Sequence, residues 1–196
     1  MPNHIAEVIE SSSTEFVAQS VELHHPPELG APVAIKDEDF VTYGLVGYAE
    51  TTSIEPGRQS ISRGTNLQDQ SEVYREHPEL TVLLRTTFTA IVIGHQLRSE
   101  LYPFLPPFPV KIHSFVYLCE EKETTSLSTN LSFIERLLDN NLPTRDEFVA
   151  ASLRVMAEKN PNPDKFLDSA GQRLATILGN DTSRLQQIIR NLRINK

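Results

Sequence analysis

LLRTTFTAIVIGH (residues 83–95) is a run of threonines and branched aliphatics that ends on a glycine and a histidine. Such residues fit a pleated, half-buried surface, so the run reads as a strand. Its end admits two readings. A strand stopping at glycine opens a phosphate loop when more glycines, a lysine and a Ser or Thr follow at the mouth of a helix, because those amides and the ammonium cradle the phosphates. Gly94 is followed instead by HQLRSELYPFLPPFPV, whose prolines at 103, 106, 107 and 109 forbid a long helix, and no glycine of the chain precedes a lysine. The expectation is a barrel strand that bends, or lets another backbone approach, at Gly94.

The chain up to about Cys119 is rich in Val, Ile, Thr, Phe and Tyr and punctuated by Pro, Gly and Asp. Six strands are expected, at 4–10, 15–21, 31–35, 40–50, 81–94 and 110–119. The acidic turn KDED (36–39) should make a tight hairpin of the third and fourth, since Asp side chains satisfy turn backbone locally. No helix-length segment separates the first four strands, which removes a parallel βαβ sheet and leaves antiparallel closure. Between the fourth and fifth lie about thirty residues without a strong period, long enough to be a working loop or to hold a short helix near DQSEVYREHPEL.

From Ser126 the period becomes helical. Leu131, Ile134, Leu137 and Leu138 share one face; Thr144 stands as N-cap with Glu147 three residues on, ahead of Phe148, Val149, Leu153 and Met156. Asn162 and Pro163 start a third helix that stops at Gly179, and Asp181 or Ser183 caps a fourth with the stripe Leu185, Ile188, Ile189 and Leu192. The fold class is therefore α+β: a small six-stranded antiparallel β-barrel (1–125), then, after the polar linker EEKETTSLSTN, a C-terminal bundle of four short helices (126–196).

Up to Thr125 there are 8 Lys and Arg against 18 Asp and Glu, net −10; from Ser126 there are 10 against 8, net +2, which together make the formal −8. An acidic barrel repels phosphate backbones, which argues against nucleic acid, although Arg184, Arg190, Arg193 and Lys196 form a basic tail that keeps an accessory role on nucleic acid as a third reading. No apolar run approaches the ~20 residues of a membrane span and no signal-like start is seen, so a cytoplasmic location without membrane contact is expected. Cys119 is the only cysteine, which excludes an intrachain disulfide and a Cys-rich zinc site.

Catalytic motifs are absent. Gly44 and Gly47 lack the third glycine of a dinucleotide fingerprint and there is no nucleophile elbow. Of the six histidines, His24 and His25 read as loop, His77 as loop, His95 as the cap of a strand and His113 as lying within one; no pair has metal-ligand spacing, so no cofactor or metal is expected. The candidates left are Arg58 and Arg63, beside glycines that let backbone amides approach an anion, with Arg75 and His77 further along the same loop. Together they would form an anion, ligand or partner site at a barrel mouth, built from the 51–80 loop.

The order of several marks resembles the HAS barrel, the small domain shared by HerA-type DNA-translocating ATPases and the N-terminal crowns of F-type ATP synthase subunits. They are STEF after the first strand, LGAPVAI, YGLVGYAE, the aliphatic strand ending VIG and the proline pair before the last strand, over about residues 5 to 119. In that family a RecA-like motor with Walker motifs follows, whereas here a helical bundle does, so no catalytic residue carries over. What the resemblance implies is a non-enzymatic assembly or docking module that associates with itself or with an ATPase partner. The alternative is an enzyme or ligand-binding protein using the 51–80 loop.

Overall fold

The computed structural model describes residues 3–55, 57, 60–142 and 144–192. Strands β1 (Ala6–Ser11), β2 (Glu15–Ser20), β3 (Pro32–Asp37) and β4 (Phe40–Ser53) come first, then the short helices α1 (Gln70–Glu76) and α2 (Leu80–Leu83). Strands β5 (Leu84–Leu97), β6 (Glu100–Tyr102) and β7 (Phe115–Leu118) follow, and then α3 (Glu121–Leu127), α4 (Phe133–Asp139), α5 (Arg145–Glu158), α6 (Pro163–Leu178) and α7 (Thr182–Leu192). The sheet runs β2-β1-β7-β3-β4-β5, all antiparallel, and closes by pairing β2 with β5. The result is a six-stranded barrel with β6 added to β5 as a seventh strand.

Burial explains why the strands differ in composition. β1 and β2 alternate buried and less buried positions, as strands with one covered face do. β5 is buried almost continuously from Thr86 to His95, because its two faces serve two cores. Phe88, Ala90 and Val92 line the barrel interior with Phe16, Val33 and Val46, whereas Ile91 and Ile93 join Ala34, Tyr43 and Leu45 in a core completed by α3–α7. The helices thus lie on the outer face of β3, β4 and β5. Within them α5 is central: it touches α4, α6, α7, β3 and β4, and is buried nearly all round from Phe148 to Ala157.

The glycines sit where the sequence reading places bends. Gly47 falls at a register shift of β4 against β5, and Gly94 beside another. A Cβ at Gly94 would meet the Tyr102 carbonyl oxygen at 2.6 Å, so this glycine lets β6 close onto β5. A side chain at Gly47 would run into Leu142 and stand 3.1 Å from the Phe148 ring, so that one makes room for the helices. Gly94 therefore serves a backbone approach, not a phosphate.

Other expectations need correction. Part of the polar linker is helix: α3 is started by a Glu120 N–H donated to the Glu123 carboxylate (2.8 Å) and held to the barrel by Lys36–Glu123 at 3.2 Å. Thr144 occupies the N-cap of α5 but makes no capping bond; its hydroxyl donates to the Gly47 carbonyl at 3.1 Å, tying helix to strand. The last strand begins at Phe115, and His113, expected within it, lies in the preceding turn at φ 70°. Asp181 rather than Ser183 caps α7, accepting from the Arg184 N–H at 3.1 Å. The KDED hairpin turns as read, with Asp37 opposite Phe40 and Glu38 at φ 53°.

Candidate functional site

The 54–83 connection carries the helix read near DQSEVYREHPEL, because Asp69 caps α1 by accepting from the Ser71 N–H at 2.9 Å. His77 ends α1 and Glu79 precedes α2, which brings both to Arg63. The Arg63 Nη1 stands 3.4 Å from His77 Nδ1 and 3.3 Å from a Glu79 oxygen, and His77 Nδ1 is 3.3 Å from that oxygen. The Glu79 carboxyl is held below its usual range, first by a backbone N–H bond and then by His77 and Arg63. Arg75 stays apart, paired with Glu72 at 3.1 Å on the exposed face of α1, and Arg58 lies outside the described residues. The hollow beside Arg63, walled by Ser53, Ile61, Leu80, Leu83 and Leu84, has a volume of about 100 Å³. Ligand sites usually enclose about 300–1,000 Å³. The cluster therefore ties the loop down, and His24 fastens it again by bonding the Tyr74 hydroxyl while its own N–H donates to Thr86 Oγ1 at 2.7 Å.

At the opposite end of the barrel the β3–β4 and β5–β6 hairpins turn side by side, joined by the Arg98 N–H donating to the Asp39 carbonyl at 2.7 Å. His95, expected at a strand cap, is instead buried within β5: its ring stacks on Phe40 and Tyr102, both at 5.1 Å, and meets Phe104 edge-on. Nδ1 lies 3.1 Å from the Phe104 carbonyl oxygen, which only accepts, so Nδ1 carries a hydrogen and donates it. This histidine packs and anchors the segment that follows.

That segment, 103–114, crosses the barrel end. Leu105 and Val110 pack against the interior cluster, and Lys111 reaches Asp37 at 2.6 Å. Other side chains face out: Phe104 is 54 % and Phe108 77 % exposed, with Leu97, Ile112 and Phe115 also exposed around them. Pro107 and Pro109 restrict the backbone on either side of Phe108, so less backbone freedom remains to be lost on binding. The aromatic–proline alternation of YPFLPPFP was the available signal, but from sequence it serves only to rule out a helix.

Arg184, part of the supposed basic tail, makes a two-pronged pair with Asp146 (2.6 and 3.0 Å) that fastens α7 to α5; Arg193 and Lys196 lie outside the described residues. Cys119 is 4 % exposed, and burial, with Glu123 nearby, pushes its thiol pKa well up. A thiol-specific disulfide reagent at about pH 8 is expected to leave Cys119 untouched in the folded protein and to react fully once urea unfolds it. Prompt reaction of the native protein would contradict this burial. No helix among the described residues is long and apolar enough to cross a membrane. No protein-family model matches this chain, and no curated protein matches it.

Proposed function

We propose that the chain is a non-enzymatic assembly or docking module, similar to a HAS barrel without its ATPase core, and that the 97–115 end of the barrel is its contact surface. The observation that carries this is the exposed set Phe104, Phe108, Ile112 and Phe115 on and beside a proline-rich segment whose Leu105 and Val110 pack against the barrel interior. Exposed aromatics held rigidly are what interface hot spots are made of, and an isolated monomer has little reason to keep them in water. Glu38, Asp39 and Glu100 stand at the neighbouring hairpin tips, so a partner bringing basic groups fits better than a two-fold apposition of this end with itself. An ATPase partner is the reading suggested by the barrel's resemblance. The ligand-binding alternative has less support, since its loop encloses so small a hollow and leaves Arg75 outside it.

Native mass measurement at micromolar concentration, together with affinity capture from the native cell, tests the proposal. The wild-type chain is expected to give an oligomer or a stoichiometric partner, and the double variant Phe104→Ser, Phe108→Ser to lose it while keeping the wild-type circular dichroism spectrum. Only monomer and no captured partner would overturn it.

A further inference from the structure

A separate cavity opens where β5 changes partner along one edge. The Val92 N–H donates to the Thr14 carbonyl at 2.8 Å, the last bond of the β2 seam, and the Val92 carbonyl receives Arg136 Nη1 of α4 at 3.1 Å. That bond fixes the guanidinium at the wall of a cavity of about 510 Å³ between the start of β2, β5 and the α4–α5 turn. The volume falls within the ~300–1,000 Å³ usual for small-molecule sites. Ile91 and Leu142 give it an apolar side; Glu15 and Asp139 bring two carboxylates to its lining.

Arg136 is half-buried, yet among the described residues no carboxylate lies within 4.0 Å of it. Its pKa is lowered by burial alone, the mark of a cation stripped of water without a counter-charge. A guanidinium has five donors in a planar fork that matches a carboxylate, and among the described residues one of them is committed, to a backbone oxygen. Glu15 and Asp139 make no ion pair within 4.0 Å among the described residues; both are exposed, and Asp139 also acts on the charge of Arg184. The cavity therefore presents a half-buried cation with no carboxylate in ion-pair distance on one wall and two solvent-facing carboxylates on others.

We propose that this cavity binds a free α-amino acid, with its carboxylate forked onto Arg136, its ammonium toward Glu15 and Asp139, and its side chain against Ile91 and Leu142. A dipolar ligand answers both charges at once, whereas a simple anion would meet the two carboxylates and a simple cation would meet the arginine.

The test is isothermal titration of the whole chain with the panel of free α-amino acids, repeated for the tightest with its amide and its N-acetyl form. The expected result is saturable binding that weakens at least about tenfold when either end is blocked. Arg136→Met, which keeps the stem but not the fork, should abolish binding. The blocked ligands carry the test on wild-type protein if that variant folds poorly. Absence of saturable binding across the panel overturns the proposal. So does equal affinity for the N-acetyl form, which would make the ligand a bare carboxylate such as a protein C-terminus. The Phe104→Ser, Phe108→Ser variant should bind the amino acid as the wild type does, so this site and the docking surface fail or stand separately.

Discussion

Gly30→Ala is expected to destabilise the protein by about 3 kcal/mol or more, a large effect for adding one methyl group. Two terms combine. Gly30 has φ +87°, where a residue with a Cβ is strained by ~1–2 kcal/mol. The new Cβ would also stand within 2.5 Å of the Ala151 carbonyl carbon and closer still to the Ser152 nitrogen, and such overpacking adds about 1–3 kcal/mol. Both obstructing atoms are backbone of α5, so no rotamer change relieves the clash. Gly30 also donates its N–H to the Val46 carbonyl at 2.7 Å, and a shift that freed the Cβ would break that bond. Urea unfolding followed by circular dichroism measures the change in midpoint. Gly171→Ala is the control: this glycine lies inside α6 with nothing within 4 Å of a Cβ, and the same substitution there should stabilise by about 0.5–1 kcal/mol. Equal effects at the two positions would show that α5 does not rest on Gly30.

Phe148→Ala should cost about 3–5 kcal/mol, the range for removing a fully buried aromatic ring. The ring is 0 % exposed and belongs to the core that holds Tyr43, Leu45, Ile91 and Ile93 of the barrel together with Leu137, Leu153, Phe166 and Leu174 of the helices. Because these residues form one cluster, losing the ring is expected to lower the strand and helix signals at one shared midpoint. If the helical signal alone moved, the barrel would be stable without its helical cover, and the shared core would contribute little to it.

Much of this architecture is legible in the residues, for reasons that differ by element. β1 to β4 and the helices α4 to α7 announce themselves through local period and end signals: Asn162–Pro163 at the start of α6 and Gly179 at its stop lie within the element they delimit. β6 escaped because three residues, one of them Glu, carry no period, and its existence depends on Gly94 admitting the Tyr102 backbone. α3 escaped because EKETTSL reads as polar linker; only Thr124 and Leu127 are buried, and they are buried by elements distant in the chain. His95 looked like the end of a strand because its aromatic partners Phe40 and Phe104 come from other segments. Within the 51–80 loop the pairing follows from tertiary contacts rather than spacing: Arg63 meets His77 and Glu79, whereas Arg75 turns to Glu72.

By itself, then, the sequence determined an antiparallel run of strands that must close, followed by amphipathic helices, because both follow from spacing within a few residues of one another. Tertiary structure decided what those helices cover and what they leave bare. It set α5 against Gly30, buried both faces of β5, left Phe104 and Phe108 in water, and carried Arg136 to the Val92 carbonyl 44 positions away. The physical reason is that a residue's exposure, and the counter-charge it meets, are properties of chain segments brought together by closure and packing, and no local period encodes which segments those will be.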